Sequence, residues 1–76
     1  MDRIHLHVVL HEGSWKVRVA ETVSRPFLTE REAIETAIRQ AHKLGRQGHA
    51  SAVVMKAMTC HYDSNGLVRA FPTARK

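Results

Sequence analysis

The chain has 76 residues, 43% of them hydrophobic, and twelve Lys/Arg against seven Asp/Glu give a net charge of +5. That length allows one domain and one core, and the composition is far from that of a disordered chain. No run approaches the roughly 20 apolar residues of a membrane-spanning helix, and histidines interrupt the apolar residues near Met1, so neither a membrane partner nor a secretory signal is expected. Cys60 is the single cysteine and can build no internal disulfide, which points to a reducing compartment or to indifference, and the default expectation is a soluble cytoplasmic protein.

Ile4, Leu6, Val8 and Leu10 alternate with His5, His7, Val9 and His11, the period of two of a half-buried strand. His11-Glu12-Gly13-Ser14 reads as a turn, and Trp15, Val17 and Val19 alternate with Lys16, Arg18 and Ala20 in a second strand. Glu21 to Phe27 is a connection in which Pro26 keeps Arg25 out of helical geometry. Thr29 to Gly45 is the one helix expected. Thr29 and Glu32 stand at capping-box spacing, and Leu28 and Ala33 suit a hydrophobic staple. Ala33, Ile34, Ala37, Ile38, Ala41 and Leu44 draw an apolar stripe that must lie on a sheet, and Gly45 is expected as the left-handed terminator.

After an Arg46–His49 loop, Ala50 to Tyr62 is rich in β-formers and predicts a long or bulged third strand. Asp63-Ser64-Asn65-Gly66 predicts a type I′ hairpin turn, Leu67 to Phe71 a fourth strand, and Pro72 its end. The expected architecture is a two-layer α+β sandwich, β-β-α-β-β. It has a four-stranded, mostly antiparallel sheet in the order 2-1-3-4 with the helix on one face. It forms a single domain over residues 1–72, followed by a frayed tail at 73–76.

The run His7-Val8-Val9-Leu10-His11-Glu12-Gly13-Ser14-Trp15-Lys16-Val17 resembles the opening of a small bacterial family of domains of unknown function, numbered 2188. Ser24, Thr29, Glu32, Ala33, Ile34 and Gly66 stand at matching places, and the resemblance covers roughly residues 7–69. Two departures accompany it: Leu10 replaces the family's proline, and the segment from Gly48 to Gly66 is longer than the family's closing hairpin. The resemblance implies the fold and no reaction.

The charge is unevenly placed: residues 1–35 carry a net −1 and residues 36–76 a net +6. Arg31, Arg39, Lys43 and Arg46 would ridge the outer helix, with Glu35 at the i,i+4 spacing that pairs it to Arg39. Arg39, Lys43, Arg46, Lys56 and Arg69 form one candidate set, for nucleic-acid phosphates. The leading expectation is a non-enzymatic interaction module that self-associates. If Val53, Met55 and Ala57 face the helix, then Val9, Val54, Met58, Cys60 and Tyr62 make an open apolar patch suited to a homodimer, with an edge strand as the other route to one; a bulge that swaps faces part-way would instead bury Met58 and Cys60.

His5, His7 and His11 share a strand face, with His61 near them, but the spacing supplies no further ligand motif and no metal is expected. Cys60 and His61 are adjacent on a strand and point to opposite faces, so no nucleophile and base are paired. Neither a catalytic site nor a cofactor nor a small-molecule substrate is expected.

Overall fold

The computed structural model describes residues 3–73. In chain order the elements are β1 (Ile4–His11), β2 (Ser14–Val19), β3 (Thr22–Val23), α1 (Glu30–Arg46), β4 (Ser51–Val54), β5 (Met58–Asp63) and β6 (Gly66–Pro72). They form one six-stranded sheet in the order β3-β2-β1-β4-β5-β6, with α1 over β1, β2, β4 and β5. The β1–β4 pair is parallel and every other pair is antiparallel. The α+β class and the single helix are as expected, but the sheet has six strands rather than four.

Both extra strands arise from reversals that no Gly or Pro marks. The expected long strand from Ala50 to Tyr62 folds back at Met55–Met58, where the Met55 N–H donates to the Met58 carbonyl at 2.9 Å. Thr73 holds this turn from far along the chain: its hydroxyl donates to the Met55 carbonyl at 2.7 Å, and its N–H to the Ala57 carbonyl at 3.2 Å. Thr73 is therefore tied down rather than frayed, while the rest of the expected tail lies outside the described residues. The other reversal turns the Glu21–Phe27 connection back along β2. Ser24 completes that ladder, its N–H donating to the Val17 carbonyl and its hydroxyl accepting from the Val17 N–H, both at 2.9 Å.

The type I′ geometry expected at Asp63–Gly66 is found at the other hairpin. Glu12 and Gly13 both take positive φ (54° and 81°), so the type I′ turn joins β1 to β2. At the β5–β6 turn only Gly66 does (φ 98°), because Asp63 Oδ1 accepts the Asn65 N–H at 2.8 Å and holds Ser64 and Asn65 in an ordinary turn.

Half of the expected capping box forms: Thr29 is extended (φ −127°, ψ 153°) and its hydroxyl accepts the Glu32 N–H at 3.2 Å, but the Glu32 side chain makes no return bond to the Thr29 N–H. Leu28 forms no staple and is 93% exposed. At the other end, Gly48 (φ 87°) is the left-handed residue; the Gly48 and His49 N–H groups bond the Gly45 and Leu44 carbonyls, both at 2.9 Å, as in a Schellman motif. Gly45 is instead inside the helix, as the last step of a buried column of Ala33, Ala37 and Ala41. This smooth column brings the helix backbone close to the sheet. The core between the layers is Leu6, Val8, Val17, Val53, Cys60 and Tyr62 beneath those alanines, with Trp15, Ile34, Ile38 and Leu44 packed at its edge. Each fully buried aliphatic side chain there contributes about 1.5–3 kcal/mol.

Candidate functional site

The helix covers one face of the sheet, so alternation along each strand assigns the other face to a fixed set of side chains. The registers run Arg18–His7–Val54–Thr59–Phe71 across five strands, and beside it His5–Ala52–His61–Arg69 across four. Lys16 lies opposite Val9 on the same face. Arg3 closes the lower end of the second row: its Nη1 donates to the Ser51 carbonyl at 3.2 Å and to the Tyr62 carbonyl at 3.1 Å.

This face carries cations and imidazoles, and the same alternation adds one acid, Asp63, at the end of β5. Of the six described acids, Glu30, Glu32 and Glu35 are on α1, Glu12 and Glu21 are in turns, and Asp63 is at the end of β5, bonded to its own turn. Among the described residues the only side-chain ion pairs are Arg31–Glu35 at 3.2 Å and His11–Glu12 at 3.8 Å. Glu35 thus pairs with Arg31 and not with Arg39, and none of Arg3, Lys16, Arg18 and Arg69 forms an ion pair with a described carboxylate.

The electrostatic consequence falls on the histidines between these cations. Partial burial, then Arg18, then His5, hold His7 below the ordinary histidine value of 6.5. His61 is lowered by desolvation and then by Arg3, Arg69 and His5. Both rings favour the neutral form near pH 7. The His5 and His7 rings are nearly parallel (23°) with centroids 6.1 Å apart, and His61 meets the Phe71 ring edge-on at 4.8 Å. The Arg69 guanidinium sits 5.1 Å from the Phe71 ring centre. A shallow hollow beside β1 is lined by Arg3, His5, His7 and Arg18.

The structure divides both sets of expected binding residues. Of the apolar patch, Val9 and Val54 lie half-buried on the open face, but Cys60 and Tyr62 point under the helix at 8% and 5% exposure. The reversal at Met55–Met58 pairs Val53 with Cys60, which puts even-numbered residues of β5 on the side that odd-numbered residues hold in β4. Met58 shares that helix side but lies beyond the helix and stays exposed. Of the basic set, Arg39, Lys43 and Arg46 are exposed on α1, Lys56 is in the β4–β5 turn, and only Arg69 is on the open sheet face. His5 and His7 adjoin each other and face His61 across Ala52, whereas His11 is at the far end of β1. No three ligating groups converge among the described residues. Phe71 and Arg3 carry no motif of their own; the alternation of β6 and the hairpin parity of β5 are the only signals that place them beside the histidines.

No described helix is long and apolar enough to cross a membrane. No match to a curated protein or to a solved structure was found. The profile of a family described as "Uncharacterized protein conserved in bacteria (DUF2188)" matches residues 6–58, which takes in β1 through β4 and the turn after it. With more than half of its length matched, from the first strand through the helix to the central parallel pair, the chain belongs to that bacterial family.

Proposed function

We propose that this domain is a nucleic-acid-binding module that holds phosphate groups on its open sheet face. The observation that carries the reading is that Arg3, Lys16, Arg18 and Arg69 share this face with the imidazoles of His5, His7 and His61, and that none of the four forms an ion pair with a described carboxylate. The four cations are spread across one face from β2 to β6, a span over which a polyanion meets them with successive phosphates. Strands fix their spacing, whereas Arg39, Lys43 and Arg46 lie on the other layer and add to the long-range field rather than to the contact. If each of the four fixed charges meets one phosphate, log K falls against log salt with a slope of about −3.6 on duplex DNA and about −2.8 on a single strand. Raising salt from 50 to 200 mM then weakens binding about 150-fold and about 50-fold respectively. Fluorescence anisotropy with labelled DNA and RNA tests this. Absence of binding at the lower salt, or equal competition by polyglutamate, refutes it.

A second reading, self-association, is favoured at a different place from the expected patch. The sheet has one edge of two residues, β3, and one of seven, β6, and beside β6 Met58, Leu67 and Val68 are 42%, 57% and 50% exposed. A long apolar edge strand is a template for pairing with another chain, here a second copy through a two-fold axis. Sedimentation at micromolar concentration distinguishes a mass of 8.6 kDa from its double. A strict monomer that Leu67→Lys leaves unchanged removes this reading.

A further inference from the structure

We infer that the His5 and His7 rings form a slot for one unpaired nucleobase, so that the open face selects single-stranded over duplex nucleic acid. The inference rests on the nucleic-acid reading above and names the form that the face accepts. His5 and His7 are two residues apart on β1, and Leu6 between them points into the core with no exposed surface, so no side chain fills the space between the rings. The planes are within 23° of parallel and the centroids 6.1 Å apart. A planar base stacked on both sides needs two steps of about 3.4 Å. The centroid separation sets the upper limit of the gap, so the rings fall short of that by at least about 0.7 Å, and the exposed His5 ring must swing outward to admit a base while half-buried His7 is the fixed wall.

The surroundings suit a strand whose bases turn inward and whose phosphates lie outward. On the β4 side His5 faces Ala52, whose side chain ends at Cβ, and on the β2 side His7 faces Arg18. Arg3 and Arg18 line the same hollow as the two rings, at the places a flanking phosphate would occupy. His7 is shifted toward its neutral form, in which the ring stacks as an uncharged aromatic. In a duplex the bases are already stacked on one another, so a duplex reaches only the cations. Stacking of a base on an aromatic side chain tolerates any base, and its loss by alanine substitution weakens binding on the order of 5- to 150-fold.

The test is anisotropy at 50 mM salt with a mixed-sequence 12-nucleotide single strand, as DNA and as RNA, and with the matching duplex. Three proteins are compared: wild type, a His5→Ala/His7→Ala double variant and a His5→Phe/His7→Phe double variant, each checked for unchanged circular dichroism. Wild type should bind the single strands at least 5-fold more tightly than the duplex. The alanine variant should lose that preference and keep its duplex affinity, and the phenylalanine variant, which retains the rings without ionisable nitrogens, should keep the preference. Equal wild-type affinities for single strand and duplex overturn the slot and leave phosphate binding standing. A phenylalanine variant as weak as the alanine one overturns it too, because ring charge would then be the contact. Binding to neither form removes the underlying reading as well.

Discussion

Gly45→Ala should destabilise the protein, although in most helix interiors the same change stabilises. An alanine in place of an interior helical glycine gains about 1 kcal/mol in propensity. Here the added Cβ would collide with the Asp63 carbonyl oxygen, sit 3.0 Å from the Asp63 carbonyl carbon and 3.4 Å from the Ser64 Cα. All three are backbone atoms of the β5–β6 turn, so no side chain can swing aside. The end of α1 must lift from the sheet, loosening the column above Tyr62. Overpacking of this kind costs about 1–3 kcal/mol, and rigid neighbours put it at the upper end. The net expectation is a loss of about 1–2 kcal/mol. For a domain of this size that lowers Tm by roughly 5–15 °C. Thermal unfolding followed by circular dichroism measures it, with Gln40→Ala on the exposed face as the control. A Tm raised by several degrees, the signature of unopposed helix propensity, would refute the close approach of helix and turn.

Three further outcomes follow from individual residues. Glu12→Asn should raise stability by about 0.5–1 kcal/mol in urea unfolding, because Asn-Gly accepts the two positive φ angles that Glu12 now bears at a cost. Thr29→Ala should lower stability by about 0.5–2 kcal/mol through loss of the hydroxyl that accepts the Glu32 N–H, and Thr29→Asn should restore it. Acidification should destabilise: with the His7 and His61 values depressed in the fold, the unfolded chain binds more protons, so their contribution is fully present above pH 6.5 and is lost as pH falls through and below it. Urea midpoints at about pH 8 and pH 5.5 should show the fall, reduced in a His7→Phe variant, and a midpoint that rises on acidification contradicts the assignment.

Local periodicity made β1, β2 and α1 legible, though not β3 between them. The alternation in Ile4–Leu10 and Trp15–Val19 and the capped amphipathic run after Thr29 are signals contained within a few residues, and the structure follows them closely. The β4–β5 reversal is different in kind. Ala50 to Tyr62 is uniformly β-forming, and the turn within it is held by Thr73, 18 residues beyond Met55. A contact so distant leaves no local trace. Its effect on the candidate site is large, because folding back at Met55 changes which parity faces the helix. Cys60 and Tyr62 therefore enter the core, while His61, Arg69 and Phe71 join the histidines of β1. The sequence places Arg39, Lys43 and Arg46 on the outer helix and Lys16 and Arg18 on the opposite sheet face, but nothing local shows that Arg3 and Arg69 join that face or that Lys56 lies in a turn. The same holds at Gly45, where a terminator signal and a close-packing glycine look alike until the neighbouring turn is in place.

The most direct test of the account is a comparison of two charge reversals of equal size on opposite layers. Arg18→Glu/Arg69→Glu changes the open sheet face, and Arg39→Glu/Lys43→Glu changes the exposed helix, so net charge falls by the same amount in both. Anisotropy with a labelled single strand at 50 mM salt reads the difference. The account predicts that the sheet-face variant loses binding by at least 50-fold and that the salt dependence of what remains is flatter by at least one unit of slope for the contacts removed, with the helix variant within about 5-fold of wild type. Equal losses from both variants would reduce the effect to net charge, and a larger loss from the helix variant would contradict the assignment of the binding face.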